Sequence, residues 1–188
     1  GTGASPVVAK LARDAGALTI AIVTKPFEFE ANKRITQADS GINDLTKEVD
    51  SIIVIPNDRL KEVQQISGIA DSFKAADSVL TKAVRGISDI IVGSGFINVD
   101  FADVKKIMTE SGGKALMGTG EGEGTSRAIE ASENAITSPL LEDISIDGAT
   151  GILINVSASS NFTIDELNDA CNHIKSKASP SVNLIFGL

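Results

Sequence analysis

Hydrophobic positions along the chain follow two alternating rhythms. Leu18-Thr19-Ile20-Ala21-Ile22-Val23-Thr24 and Ser51-Ile52-Ile53-Val54-Ile55-Pro56 are near-continuous apolar runs, the pattern of parallel strands covered on both faces. Between them, Glu30 to Val49 reads as a polar helix interrupted around Gly41, so the stretch predicts a βαβ unit. Ahead of the first strand, the small-residue loop Gly1-Thr2-Gly3-Ala4-Ser5-Pro6 leads into an apolar helical run, Val7–Ala15, that stops at Gly16. Pro6 suits a first helical position, where its missing N–H would have no partner anyway. The longest helix is expected from Ala70 to Ile91. Phe73, Leu80, Val84, Ile87 and Ile91 form its apolar stripe, widened by Ala76, Ala83 and Ile90, with Asp77 opposite Leu80 and Val84. Gly93-Ser94-Gly95 is its natural stop, and a short helix is expected through Lys105–Glu110.

Beyond Gly112-Gly113 the rhythm becomes strand, helix, strand, helix, strand. The expected strands are Ala115–Gly118, Gly151–Val156 and Val182–Phe186, and the expected helices Ser126–Ile136 and Thr163–Lys177. Thr163-Ile164-Asp165-Glu166 has the form of a capping box. The fold class is therefore α/β. Its expected parts are a nucleotide-type α/β layer over residues 1–69, a connecting helix over 70–92, and a second, smaller α/β domain over 93–188.

Composition narrows the function. With 188 residues, 42% hydrophobic and 22% charged, the chain is long and apolar enough to fold rather than stay disordered. Its net charge of −8 repels phosphate backbones and anionic headgroups, which argues against nucleic-acid and membrane-surface roles. A single cysteine, Cys171, cannot close an internal disulfide, and no Cys/His set has metal-ligand spacing. No apolar run is long enough to span a bilayer, and no secretory pattern opens the chain. A reducing, cytoplasmic setting is the expectation.

Several residue groups could carry chemistry. Gly1-Thr2-Gly3 before a helix could cradle phosphate through backbone N–H groups, or be an ordinary loop. Glu30 and Arg34 have the i,i+4 spacing of an exposed helical ion pair. Alternatively, Glu30 could accept from ribose hydroxyls while Arg34 meets polar groups of a nucleotide. Asp77 is either solvent-facing or an acceptor for the N1/N2 edge of guanine. Asn98, Asp100 and Asp103 place an amide and carboxylates on a loop entering a helix. Asp100 would cap that helix and Asp103 favour its first turn, or the group would polarise a water for attack on phosphate. Cys171 and His173 lie on a late helix and read as packing or surface residues.

Longer stretches carry a resemblance. Gly1-Thr2-Gly3-Ala4-Ser5-Pro6-Val7-Val8-Ala9 resembles the end of the tubulin-type glycine signature. Val23-Thr24-Lys25-Pro26-Phe27-Glu28-Phe29-Glu30, Ile55-Pro56-Asn57-Asp58-Arg59-Leu60, Asn98-Val99-Asp100-Phe101-Ala102-Asp103-Val104 and Ser138-Pro139-Leu140-Leu141-Glu142-Asp143 resemble the bacterial cell-division GTPase family FtsZ. Together these matches run through essentially the whole chain in order. The resemblance implies a partial Rossmann-like GTPase layer and a cytoskeletal protein that hydrolyses GTP and forms head-to-tail filaments at the mid-cell division site. It implies GTP or GDP, with Mg2+ accompanying the nucleotide, as cofactor. The implied partners are other copies of itself and further cell-division proteins, without nucleic acid or membrane insertion. By that likeness Gly1, Thr2, Gly3, Glu30, Arg34 and Asp77 contact nucleotide, while Asn98, Asp100 and Asp103 form the synergy loop that completes a neighbour's hydrolytic site. Ala31 stands where the family commonly has glycine. The parts the family places before the glycine signature and its last strand are not matched, which implies a fragment inactive in hydrolysis on its own. Two other readings stay open: a filament-capping interaction fragment, and an unrelated nucleotide-binding α/β domain.

Overall fold

A computed structural model describes residues 1–63, 68–93, 99–110, 113–141 and 144–188. Two compact units emerge, one formed by Gly1–Val84 with Met108–Leu116 and the other by Arg85–Ile107 with Met117–Leu188.

In the first unit, helix α1 (Ser5–Asp14) carries Pro6 in its opening turn. It closes on Gly16, whose φ of 83° is the left-handed conformation that glycine adopts without strain. The Gly16 amide donates to Arg13 O at 2.8 Å and the Ala17 amide to Ala12 O at 3.1 Å, satisfying carbonyls the helix would leave bare. Strand β1 (Ile20–Lys25) and strand β2 (Ser51–Pro56) run parallel, from Ile20 opposite Ser51 to Lys25 opposite Pro56. Helix α2 (Asn32–Thr46) links them. Ala9 of α1, Leu45 of α2 and Ile52 of β2 form one apolar core, with Ala21, Val23, Ile42, Val49 and Val54 packed against it. Ser51, Ile52, Ile53 and Ile55 of β2 are buried, whereas every β1 residue is only half-buried. The difference follows from position: β2 is flanked on both sides, and β1 lies at an edge of the sheet among the described residues.

The expected interruption at Gly41 does not occur, and α2 runs through it unbroken. Gly41 is there for proximity, because a Cβ built on it would collide with the side chain of Thr2. Strand β3 (Lys114–Ala115) also departs from expectation. It pairs with β2, Ile52 opposite Lys114 and Ile53 opposite Ala115, and gives the sheet order β1-β2-β3. The first sheet therefore recruits a strand from beyond residue 93, where the second domain was expected to start.

A short helix α3 (Leu60–Val63) precedes the long helix α4 (Ile69–Val92). The face α4 buries matches the expected stripe only in part: Ala76, Ala83 and Ile90 are buried as expected, and Leu80, Ile87 and Ile91 are half-buried. Ser72, Ala75, Ala76, Val79, Ala83 and Ile90 are buried, while Phe73 and Val84 are exposed. The buried face is mostly small side chains, with Val79 and Ile90 as its bulky members. The placement of Asp77 is corrected with it. Residues three apart are helix neighbours and residues seven apart nearly superpose, so Asp77 shares a face with Leu80 and Val84 rather than opposing them. Helix α5 (Phe101–Glu110) starts earlier than expected. The Asp100 carboxylate accepts from the Ala102 amide at 3.1 Å, and the Asp100 carbonyl accepts from the Asp103 amide at 3.0 Å.

In the second unit, helix α6 (Arg127–Ile136), strand β4 (Gly151–Asn155), helix α7 (Ile164–Lys177) and strand β5 (Asn183–Gly187) follow in order. Strands β4 and β5 pair in parallel, Gly151 opposite Asn183 through Asn155 opposite Gly187. Leu167, Ala170 and Ile174 are the buried stripe of α7. Thr163 and Glu166 form the expected capping box: the Glu166 amide donates to Thr163 Oγ1 at 3.2 Å and the Thr163 amide to Glu166 Oε2 at 2.8 Å. His173 contacts Glu133 across the two helices, Nε2 to Oε2, at 2.6 Å, a packing role as expected. Of the strand expected over Ala115–Gly118, only Ala115 is in β3, and the chain from Gly118 onward lies along α6. Side chains at Gly118, Gly120 and Gly122 would strike the carbonyl oxygens of Ala135, Ala131 and Arg127. The alternate glycines of an extended segment thus step along successive turns of the helix.

The βα corner after β4 is filled by Arg127. Its Nε donates to Glu166 Oε1 at 2.7 Å and its Nη1 to Ser159 Oγ at 3.1 Å and Asn161 Oδ1 at 3.2 Å. Its Nη2 donates to Glu166 Oε2 at 3.1 Å, and the guanidinium lies 5.7 Å from the Phe162 ring centroid. Hydrogen bonds from Arg127 first, and then from the Thr163 amide, hold the Glu166 carboxyl down at about 2.

Candidate functional site

The corner after β1 is built differently. Pro26 breaks the strand, and Phe27 turns fully inward at 0% exposure. Its ring stacks on Phe29 at 5.0 Å and meets Phe73 of α4 edge-on at 5.6 Å, and Lys61 Nζ sits 5.8 Å from its centroid. A tight turn, Glu28–Glu30, follows. The Glu28 amide donates to Asp58 Oδ2 at 3.0 Å, which ties the turn to the segment after β2. The Phe27 amide donates to Glu30 Oε1 at 3.0 Å, and Arg34 Nη1 donates to Glu30 Oε2 at 2.6 Å. Ala31 then takes φ 77° and ψ 152°, a region that L residues with a Cβ rarely occupy.

Above this turn opens a cleft of about 390 Å3, with Thr2, Glu30, Arg34, Asn57, Phe73 and Asp77 among its lining residues. Thr24 at the end of β1 and Asn57 just after β2 place it at the carboxyl ends of parallel strands, where open α/β sheets receive ligands. Four of the residues expected to contact nucleotide, Thr2, Glu30, Arg34 and Asp77, meet in this one cleft. Gly1 and Gly3 are not among its lining residues. The Gly1 carbonyl instead accepts from the Ala4 and Ser5 amides, closing the turn that starts α1.

Asn57 carried no expected role, yet it is the most telling residue of the cleft. It is 5% exposed, and its Oδ1 is buried without a hydrogen-bond partner among the described residues. An uncompensated acceptor of this kind is costly unless a ligand or water completes it. The available signal was positional: an asparagine directly after an apolar strand. Phe73, expected in the core stripe, instead forms part of the cleft wall. Gln37 and Ala38 join it because they follow Arg34 by three and four residues on the same helical face.

Asp100 and Asp103 are exposed at the start of α5, in the capping and first-turn positions. Asn98 lies outside the described residues. No group of three His, Cys, Asp or Glu side chains suited to a metal occurs among the described residues. No described helix is long and apolar enough to cross a membrane.

Known proteins share this arrangement. Residues 1–65 match the family model described as the tubulin/FtsZ family GTPase domain, and residues 113–188 match the FtsZ family C-terminal domain. The cell division protein FtsZ of Caulobacter vibrioides is 49% identical over 188 residues, covering 100% of this chain and 37% of that protein. The FtsZ of Wigglesworthia glossinidia brevipalpis is 50% identical over 189 residues, covering 100% of this chain and 49% of that protein. Among solved structures, an empty FtsZ dimer from M. jannaschii superposes with a TM-score of 0.93 at 43% identity, covering 100% of this chain and 54% of that one. The chain thus spans about 37–49% of the length of these curated relatives. The reading as an unrelated nucleotide-binding domain falls away. With both domain matches in order and about half of all positions identical to FtsZ along its full length, the chain belongs to the tubulin/FtsZ family.

Proposed function

We propose that the chain supplies one wall of a guanine-nucleotide site in a GTP-hydrolysing cell-division protein. The observation that carries this reading is the buried, unpartnered Oδ1 of Asn57 in the same cleft as the Asp77 carboxylate. Guanine presents N–H donors on one edge, and a carboxylate with an amide oxygen is the acceptor set that suits them. The phenyl wall of Phe73 offers apolar contact to a base. Arg34, at the cleft mouth, matches the negative charge of a nucleotide. The residues present therefore fit the nucleotide that the family implies, and Mg2+ would accompany its phosphates.

Asp100 and Asp103, with Asn98, are read as the group that completes hydrolysis in the cleft of an adjacent subunit, as the family resemblance implies. Exposure of both aspartates supports that reading, because a group acting on a neighbour has to reach the surface. The whole protein would then assemble head-to-tail, an open heterologous contact, with turnover coupled to assembly at the cytoplasmic division site and with other division proteins as partners.

Titration calorimetry of the chain with GDP and with ADP tests the cleft. GDP is expected to bind and ADP to bind at least about tenfold more weakly, because adenine presents a different edge to Asp77. Asp77→Ala should remove the preference. Equal affinity for the two nucleotides, or binding of neither, overturns the reading.

A further inference from the structure

Helix α2 forms one wall of the cleft. Arg34, Gln37 and Ala38 line it, and Gly41 follows Gln37 by four residues and Ala38 by three, so it continues the same helical face. Glycine is among the poorest residues for a helix interior, so Gly41 carries a cost that the helix itself does not require. What uses the space is Thr2, in the loop before α1, which is itself a lining residue of the cleft. A Cβ built on Gly41 would strike the Thr2 Cγ2 methyl, whereas the Thr2 Cβ and carbonyl oxygen lie 3.4 and 3.5 Å from it, at ordinary contact. The methyl alone needs the gap. Methyl and hydroxyl of a threonine share one carbon, and a β-branched side chain has few χ1 positions. Seating the methyl against α2 therefore also fixes where the hydroxyl points. That hydroxyl makes no hydrogen bond among the described residues, although its residue lines the cleft.

We infer that Gly41 is a positioning residue for the nucleotide site: the side chain it lacks makes room for the Thr2 methyl, and the seated methyl holds the Thr2 hydroxyl toward the bound nucleotide. This rests on the nucleotide reading above. Gly41 touches no ligand and acts only through Thr2. In Gly41→Ala the Thr2 methyl has to leave its place. Either a rotation about χ1 or a shift of the loop then carries the hydroxyl away with it.

An exchange of sizes tests it. In calorimetry with GDP, Gly41→Ala should weaken binding by about tenfold. Thr2→Ser keeps the hydroxyl and removes only the methyl that needs the gap. Alone it should weaken binding by about twofold to threefold, because the hydroxyl loses its seat. Combined with Gly41→Ala it should return affinity to within about threefold of native, since the new Cβ fills the space the lost methyl leaves. A double variant as weak as Gly41→Ala, or a Gly41→Ala chain that binds like the native one, overturns the inference. Alanine is the better helix former, so Tm should hold or rise in Gly41→Ala while affinity falls. A fall in Tm that parallels the loss of affinity overturns the inference as well. The seat is also read without any ligand. Three-bond couplings to the Thr2 methyl carbon should report one χ1 rotamer in the native chain and another, or an average, in Gly41→Ala. Averaged couplings in the native chain overturn the inference. A native chain that takes up no GDP overturns the nucleotide reading instead, and the seat then stands or falls on the couplings.

Discussion

Two strand–helix–strand corners in this chain share a plan and end in opposite states. One lies between β1 and α2, the other between β4 and α7, and in each the two strands are parallel. The second is plugged from within: Arg127 spends its donors on Glu166, Ser159 and Asn161 and covers Phe162. The first stays open, with a cleft of about 390 Å3 and a buried Asn57 oxygen that no hydrogen bond among the described residues satisfies. A parallel βα corner gathers backbone dipoles and strand ends whether or not it binds anything. What separates a site from a joint is whether the protein's own side chains complete the polar groups there.

The comparison is broken most severely by removing the floor of the open corner. Phe27 is fully buried under the Glu28–Glu30 turn and contacts Phe29, Phe73 and Lys61. Phe27→Ala should cost about 3–5 kcal/mol in urea unfolding, the usual loss for a large ring deleted from a core. Phe162→Ala, at the half-buried ring of the plugged corner, should cost less than half of that. Similar losses at the two rings would show that both corners depend on apolar packing alike.

Legibility in the sequence followed the same division. β2 was readable to its bounds because a continuous β-branched run between breakers admits few other structures. The capping box before α7 was readable because its parts are local, within three residues. Features that depend on what approaches from elsewhere were not. Gly41 looked like a helix break, and only the side chain of Thr2 against it explains why glycine sits mid-helix. The strand expected over Ala115–Gly118 ends instead at Ala115, and the spacing of the glycines at 118, 120 and 122 serves contact with α6. On α4 the expected Ala76, Ala83 and Ile90 are buried, whereas Phe73 and Val84, drawn into the stripe by their size, are exposed. For the cleft, Glu30, Arg34 and Asp77 came from resemblance. Asn57 escaped because the mark of its role, burial without a partner, exists only once the chain is folded.

A smaller effect sharpens the open corner. Ala31 adopts φ 77° and ψ 152°, between the Glu28–Glu30 turn and α2. Holding a residue with a Cβ there costs on the order of 1–3 kcal/mol. Glycine would relieve that strain and give back about 0.4–1 kcal/mol through the greater freedom of the unfolded chain. Ala31→Gly should therefore stabilise the protein by about 1 kcal/mol, seen as a rise of about 2–4 °C in Tm. An unchanged or lower Tm would mean the backbone at this position is relaxed.

The smallest expected effect belongs to the plugged corner, and it is read by acid. The Glu166 carboxyl is held down at about 2 from an ordinary 4.5, by Arg127 first and the Thr163 amide second. A carboxylate depressed in the folded state contributes fully above its unfolded value and loses that contribution as pH falls through its folded one. The contribution is therefore complete above about pH 4.5 and gone by about pH 2. Water reaches both Arg127 and Glu166, so screening keeps the gain well below that of a buried pair. Thermal unfolding followed between pH 5 and 2 should show a Tm decline in the native protein that is shallower in Glu166→Gln, since the amide has no proton to take up. Glu30→Gln provides the control in the other corner, where the same change removes one acceptor but leaves the cleft open. If Glu166→Gln leaves the acid slope untouched, Arg127 is held by Ser159 and Asn161 alone, and the second corner is closed by hydrogen bonds rather than by charge.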